Sequence, residues 1–240
     1  MLTFTISGIG YLITAVSSAF FSYRLHQSYN REKNPLSLYY GRAFLFMCFT
    51  TLSYALPTFF WPEDGLRLAL GEFLGNIFLV FGFAYFIMIP LTIRGGVVDA
   101  RRGYYLVLVW GLLLLFLTIK YFPKLYIDEN TVLTKVYDPA LKIGYYLFIG
   151  IISLIVSLTF FEKAGKSSGY SKIRSTLLGF AFLFGGVGGG FIKVVEDKTF
   201  LALSFTSLVI GFLFIFFAAM YRKRAIAEGE VNDIHNNIVE

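Results

Sequence analysis

The chain has 240 residues, of which 57% are hydrophobic and only 15% are charged, and its mean hydropathy is +0.68. Soluble globular domains carry about 25% charged residues, so this composition excludes that class and indicates an integral membrane protein built from several apolar helices. The net charge of +6 does not indicate nucleic-acid binding, because the basic residues lie between the apolar segments instead of forming one patch.

Apolar runs bounded by charged or turn residues predict an all-α integral membrane protein with seven transmembrane helices. The predicted spans are about 4–23, 38–60, 69–93, 103–122, 140–161, 173–195 and 199–221. The fifth span has a clear start signal, because Asp138 is a good N-cap and Pro139 follows at the first helical position. Residues 1–224 are therefore predicted to form the seven-helix domain, and residues 225–240 a short cytoplasmic tail.

The distribution of Lys and Arg predicts how the domain sits in the membrane. If the first, third and fifth connections and the tail share one side, that side holds fourteen of the 21 basic residues, and the opposite side holds seven. Basic residues are enriched in cytoplasmic loops, so the N-terminus is predicted outside and the C-terminus in the cytoplasm. The sequence therefore predicts a multi-pass protein of the cell membrane, with the lipid bilayer as a partner.

The third predicted span carries two polar residues on one face, Glu72 and Asn76. They are one helical turn apart, and both lie in the outer half because this span runs inward. An intramembrane carboxylate is costly unless it is paired or faces water, so Glu72 is predicted to face the bundle interior or an outward-opening cavity. The alternative is an interfacial position, since a start a few residues later would leave Glu72 at the membrane surface.

The connection between the fourth and fifth spans, "KLYIDENTVLTKVY" from Lys124 to Tyr137, is the longest on the outer side. Two β-prone runs flank an Asp-Glu-Asn turn, a pattern that predicts a β-hairpin over the outer mouth of the bundle. An irregular loop is the alternative, because the alternating runs are short.

Pairs of glycines four residues apart occur in the third and sixth predicted spans. They are Gly71 and Gly75, Gly185 and Gly189, and Gly186 and Gly190. Small residues at this spacing let helices approach closely in lipid, so these glycines are predicted to serve helix packing. The alternative is that the run in the sixth span borders an outward cavity, because it lies at a depth similar to that of Glu72. Lys193, at the outer end of the sixth span, is the predicted partner of Glu72, so Glu72, Asn76 and Lys193 are the candidate ligand-binding residues.

No residue pattern predicts a cofactor, a metal site or an enzyme active site. His26 and His235 lie outside the predicted spans and have no second ligand at metal spacing. The last span lacks a lysine in its middle, so it cannot form a Schiff base with retinal. The spans also contain no nucleophile with a base and no pair of carboxylates within reach of each other.

The layout resembles the seven-helix membrane sensor regions that precede bacterial histidine kinases, and their stand-alone relatives. The resemblance covers Leu2 to about Arg224. It is carried by an N-terminal segment without charge, the aromatic-rich "LSYALPTFFW" of the second span, short basic inner loops and the exit "YRKR". The chain after Arg224 is too short for a kinase, so the resemblance implies a sensor whose output needs a protein partner.

Three functional classes remain for such a protein. A sensor or interaction module would bind a small molecule from outside and signal through a partner protein or a second copy of the chain. A small-solute or ion transporter is the alternative, although the spans show no clear repeat and no charge at mid-depth. An intramembrane enzyme comes third, because it would need the catalytic residues that the spans lack.

Overall fold

The computed structural model describes residues 5–127, 132–194 and 198–227. In these residues the chain forms six helices and one two-stranded sheet. They are α1 (Ile6–Glu32), α2 (Pro35–Phe60), α3 (Gly65–Lys120), β1 (Lys124–Ile127), β2 (Leu133–Val136), α4 (Pro139–Gly165), α5 (Gly169–Val194) and α6 (Lys198–Ala227). All six helices are long and apolar enough to cross a membrane. The prediction of an all-α protein with several apolar helices is therefore confirmed, and helix length and composition indicate a multi-pass membrane protein.

The number of helices in the described residues differs from the predicted seven, because α3 joins the third and fourth predicted spans. The charged and glycine-containing connection at Arg94 to Arg102 is helical instead of forming a loop. The exception is Gly96, whose φ of 84° and ψ of −171° are not helical. Only glycine adopts this backbone conformation without strain, so α3 bends at Gly96 without an intervening loop.

The two parts of α3 on either side of Gly96 lie against each other. Val80 fills the space where a side chain on Gly111 would be, and the rings of Tyr85 and Tyr104 are 5.2 Å apart between centroids. In one straight helix, Val80 and Gly111 would be separated by about 46 Å, at 1.5 Å per residue. The chain therefore reverses its direction at Gly96.

Capping side chains account for the starts of four of the described helices, α1 to α4. The side chains of Asn34 and Asp138 accept hydrogen bonds from backbone N–H groups two residues later, and a proline follows each of them. The predicted start of the fifth span is thus confirmed. By contrast, α1 continues nine residues beyond the predicted end at 23, because hydropathy marks only the apolar part of a helix and not its polar extension.

The helices surround a core of aromatic side chains. Phe44 of α2 contacts Phe86 of α3, which contacts Phe182 of α5, with centroid distances of 5.6 and 5.2 Å. The ring of Phe212 in α6 stacks on the ring of Phe21 in α1, with 5.9 Å between centroids, so α6 packs beside α1. Large apolar side chains also cover the outward faces of every helix, as expected for a surface in contact with lipid tails.

The predicted tail, residues 225–240, lies outside the described residues except for the last turn of α6, which ends at Ala227. The helix therefore continues beyond the predicted end of the last span at 221.

Candidate functional site

The connection between α3 and α4 forms a β-hairpin. β1 pairs with β2 in antiparallel register, with Lys124 opposite Val136 and Ile127 opposite Leu133. The predicted hairpin is therefore confirmed, and the irregular loop is excluded for these two segments. The residues between the strands, 128–131, lie outside the described part of the chain.

The hairpin packs onto one end of the bundle. Leu125 of β1 and Leu133 of β2 are buried in a cluster with Phe59 of α2 and Leu68 of α3. The backbone N–H of Leu133 donates a hydrogen bond to Ser7 Oγ of α1 at 3.0 Å. The hairpin thus contacts the first three helices at the end that the sequence predicts to be outside.

The hairpin also inserts a lysine into the bundle, where it meets the carboxylate of Glu72. Lys135 Nζ lies 2.7 Å from Glu72 Oε2, and the two side chains are only 4% and 1% exposed. The hydroxyl of Tyr137 donates to the second carboxylate oxygen, Oε1. The rings of Tyr11 and Tyr54 lie 5.2 and 4.7 Å from Lys135 Nζ. These five residues, Tyr11, Tyr54, Glu72, Lys135 and Tyr137, are called the lysine cluster below.

Charge and hydrogen bonding within the lysine cluster favour the ionised pair. Burial alone would lower the pKa of the Lys135 ammonium, but the adjacent Glu72 carboxylate and the Tyr11 hydroxyl together more than offset this effect, so the pKa lies above its ordinary value. Burial raises the pKa of the Tyr137 phenol well above its ordinary value, so it remains a neutral donor to Glu72. Each charge therefore has a close partner, as a buried ion pair requires.

Asn76 lies beside the lysine cluster on the same face of α3 as Glu72. It is fully buried, and its Oδ1 accepts a hydrogen bond from the hydroxyl of Tyr54 at 2.9 Å. Glu72 lies in the interior of the bundle, with only 1% of its surface exposed, and its depth in the membrane stays a prediction. Glu72 and Asn76 are thus brought together with Tyr54, a residue that the sequence reasoning did not select.

The counter-ion of Glu72 that the structure describes is Lys135. The side chain of Lys193, the predicted partner, lies outside the described part of the chain, so the role predicted for Lys193 stays a prediction. The sequence of β2 does contain a signal that Lys135 is buried. Side chains of a strand alternate between its two faces, and Lys135 is two residues from the apolar Leu133, so the two share a face. Hydropathy and charge counts do not use this signal, because they treat a lysine in an outer connection only as a marker of topology.

A cavity of about 140 Å³ lies between the helices, next to the lysine cluster. All six helices contribute to its walls, which are mostly aromatic and aliphatic, with hydroxyl groups from α1, α2 and α4. Tyr54 belongs to both the cavity wall and the lysine cluster. Among the described residues, neither Glu72 nor Asn76 lines this cavity, so Tyr54 alone links the two predicted residues to it.

The glycines of the α5 run have two kinds of surroundings, a neighbouring helix and the cavity. Gly185 and Gly189 line the cavity, and a Cβ on Gly185 would meet no heavy atom within 4 Å. Gly186 instead lies against the side chain of Ser153 in α4, although it also borders the cavity. Gly190 approaches the ring of Tyr146, and its Cβ would lie 3.2 Å from Cδ2. Gly190 therefore serves packing and Gly185 and Gly189 border the cavity, whereas Gly186 does both.

The glycine pair of α3 lies against α2. A Cβ on Gly71 would meet the backbone oxygen of Ser53 at 2.6 Å and the ring of Pro57. Gly75 lies directly against the ring of Tyr54. The small residues of α3 therefore allow α2 to come close enough for Tyr54 to reach Asn76 and Lys135.

One polar group on the cavity wall is unusual. Among the described residues, Ser18 Oγ of α1 is buried without a hydrogen-bond partner, and Ser18 lines the cavity. Its neighbour Thr14 instead donates to the backbone oxygen of Gly10 at 2.9 Å. A buried hydroxyl without a partner loses free energy relative to one that is hydrogen-bonded, so Ser18 offers a bond to a molecule in the cavity.

Comparisons with protein-family models and with curated proteins give no match for this sequence. The layout-level resemblance to sensor regions of histidine kinases thus remains an expectation.

Proposed function

We propose that this protein is a sensor of the cell membrane that binds a small, mostly apolar molecule in the central cavity and signals through a protein partner. The observation that carries the proposal is the cavity wall, where Gly185 leaves open space and Ser18 offers an unused hydroxyl. An apolar cavity of about 150 Å³ in another protein stays dry and accepts benzene. A cavity of about 140 Å³ therefore suits a single-ring molecule with one polar group.

The proposal includes seven membrane crossings, with the N-terminus outside and the C-terminus in the cytoplasm. The reversal of α3 at Gly96 supports the number, because the parts before and after Gly96 are each long enough to cross a bilayer, which takes about 20 residues. The excess of basic residues supports the orientation. In this arrangement the hairpin lies on the outer surface, and the bend of α3 lies on the cytoplasmic surface.

Cysteine labelling from each side of the membrane tests this topology. In a Cys48→Ala background, we expect a cysteine at Val98 or Ser168, both exposed, to react with an impermeant maleimide only from the cytoplasm. A cysteine at Tyr126, half exposed on β1, should react only from outside. Labelling of Val98→Cys from outside, or its protection from both sides, would contradict the division of α3 into two membrane crossings that meet on the cytoplasmic side.

The cavity proposal is tested with two probes that differ by one hydroxyl, 4-fluorophenol and fluorobenzene, followed by ¹⁹F NMR in detergent. We expect the wild-type protein to bind 4-fluorophenol about threefold to tenfold more tightly, since one added hydrogen bond contributes about 0.5–1.5 kcal/mol. Ser18→Ala should remove this preference and retain fluorobenzene binding. Gly185→Leu, which fills the cavity, should abolish binding of both probes.

The matched control for Gly185→Leu is Gly150→Leu in α4. A Cβ on Gly150 also meets no heavy atom within 4 Å, but Gly150 does not line the cavity, so its replacement should leave both probes bound. If Gly185→Leu binds the probes as the wild type does, the cavity is not the ligand site.

Transport of the bound molecule is the second candidate, because a hairpin covers one end of a bundle whose helices all line the cavity. A transporter must open the cavity to each side in turn. Thr50→Cys, a buried position on the cavity wall, distinguishes the two functions in the Cys48→Ala background. Labelling from both sides would favour transport, whereas labelling from outside alone would favour sensing.

A further inference from the structure

We propose that the ligand of the central cavity is a neutral, lipophilic molecule that enters from the bilayer, through the interface between α1 and α6. The inference rests on the cavity being the ligand site, as proposed above, and it adds the source and the chemical class of the ligand. It follows from a difference between the two interfaces of α6, one with α5 and one with α1.

The interface between α6 and α5 is closed by the two backbones. A Cβ on Gly188 of α5 would lie 2.6 Å from the backbone oxygen of Ser204. A Cβ on Gly211 of α6 would lie 3.0 Å from the backbone oxygen of Ala181. The hydroxyl of Ser207 in α6 also donates to a backbone oxygen of α5 at 2.8 Å. Because backbone atoms cannot change rotamer, we expect α5 and α6 to move as one unit.

The interface between α6 and α1 is instead bridged by aromatic rings. The ring of Phe205 lies against Tyr11, with 5.5 Å between centroids, and it fills the space where a side chain on Gly10 would be. The ring of Phe212 stacks on Phe21 at 5.9 Å. A ring can move to another rotamer, whereas the backbone contacts with α5 cannot adjust in this way. The α1–α6 interface is therefore the side of α6 that opens more easily.

Between these two ring contacts, α1 presents small side chains to α6. The residues that share this face of α1, at spacings of four, three and four positions, are Gly10, Thr14, Ser17 and Phe21. Thr14 and Ser17 are both half-buried, and Thr14 belongs to the wall of the cavity. On α6, Leu208 lies between the two ring contacts and also lines the cavity. The cavity wall thus extends into the α1–α6 interface, and the stretch bounded by Thr14, Ser17 and Leu208 is called the lateral gap below.

The composition of the lateral gap determines which molecules can pass it. Its residues and the two ring contacts carry no charge, and charged groups are costly in the apolar part of a membrane. Ser18 Oγ, which has no hydrogen-bond partner in the described part of the chain, lines the cavity and can bond one polar group. A neutral molecule with one hydroxyl or carbonyl group suits both the gap and the cavity, and it dissolves in the bilayer. Labelling of Thr50→Cys reports on access from water, whereas the lateral gap gives access from lipid.

The test measures how fast 4-fluorophenol enters and leaves the cavity, by ¹⁹F exchange NMR on the full-length protein in lipid nanodiscs. Phe205→Ala removes one ring contact, and Phe205 is not among the described residues that line the cavity. We expect this variant to exchange the probe about threefold to tenfold faster, the factor that corresponds to one lost aromatic contact. Ser17→Phe, which adds a ring to the lateral gap, should slow exchange at least about tenfold. The Kd should change less than the rates, because a barrier affects binding and release equally.

Two substitutions on the outward faces of the same helices are the matched controls. Phe217→Ala in α6 removes a ring and Val16→Phe in α1 adds one, and both residues are exposed at the surface of the bundle. Neither substitution changes the lateral gap, so both variants should exchange the probe at the wild-type rate.

A wild-type exchange rate in folded Ser17→Phe or folded Phe205→Ala would overturn the lateral route and leave the cavity as a ligand site that is entered elsewhere. Equal slowing by Val16→Phe would also overturn the route, because the effect would then not depend on the gap. A wild-type protein that binds neither 4-fluorophenol nor fluorobenzene would instead overturn the cavity proposal, and the route with it. If either test variant does not fold, Ser17→Leu and Phe205→Leu replace them with the same directions of change.

Discussion

Replacing Glu72 with glutamine alone is expected to lower the free energy of unfolding by about 3–5 kcal/mol, because it leaves the Lys135 ammonium buried without its counter-charge. Lys135→Met should also be destabilising, since it removes the ammonium that contacts the buried Glu72 carboxylate. The double variant Glu72→Gln with Lys135→Met should be less destabilised than either single variant. The free energy of unfolding in mixed detergent micelles is measured for the wild type, the two single variants and the double variant, which together form a double-mutant cycle.

The coupling in this cycle should be large and favourable, since the two side chains are in direct contact. Additive effects of the two substitutions would contradict the buried pair. Glu162→Gln is the matched control, because Glu162 also bonds a basic partner, Arg94, at 2.6 Å, but both side chains are about half exposed. That substitution should leave the unfolding midpoint almost unchanged, since water screens exposed pairs.

The sign of the Lys135 pKa shift makes the same experiment informative about pH. A lysine whose folded pKa is raised contributes stability below its unfolded pKa and loses it only as pH rises through the folded pKa. The contribution of Lys135 to the stability of the wild type should therefore be equal at about pH 7 and about pH 9, both below the ordinary lysine pKa of about 10.4.

The second large effect is expected at Gly188 in α5. A Cβ on Gly188 would lie 2.6 Å from the backbone oxygen of Ser204 and 3.0 Å from the backbone nitrogen of Leu208, both in α6. Backbone atoms cannot rotate away as a side chain can, so Gly188→Leu must separate the two helices. We expect a loss of about 3 kcal/mol, at the upper end of overpacking effects, measured by the same unfolding assay.

Gly185→Leu is the control for this prediction, because it lies in the same glycine run. A Cβ at Gly185 would meet no heavy atom within 4 Å, so a leucine there enters the cavity instead of an interface between helices. This variant should unfold at nearly the wild-type midpoint or above it. Equal destabilisation by the two leucines would show that the cavity is filled by other side chains in solution.

The glycine run shows why spacing alone did not identify the packing residues. The sequence pattern selected pairs four residues apart, but the glycine in closest contact with the α6 backbone is Gly188, which belongs to neither pair. Which neighbour each glycine faces depends on how α5 is rotated between α4 and α6. That rotation results from packing across the whole bundle, so no local spacing encodes it.

The hairpin was predictable, whereas its role was not. Short alternating apolar runs around a turn indicate antiparallel strands, and the structure contains them as β1 and β2. The pairing of Lys135 with Glu72 joins residues 63 positions apart. Such a contact depends on where the hairpin lies on the bundle, which hydropathy and charge counts do not describe.

The sequence by itself determined that this is an all-α protein with helices suited to a membrane, where most of them begin, and that a carboxylate at Glu72 needs a partner. These properties follow from local composition, capping and hydropathy, which act within about one helix length. Only the tertiary structure decided that the connection at Gly96 is helical and not a loop, that Lys135 is the described partner of Glu72, and that Gly185 faces a cavity while Gly188 contacts a backbone. The reason is physical: these outcomes depend on the relative rotation and depth of helices far apart in the chain, and close packing sets them for all helices together.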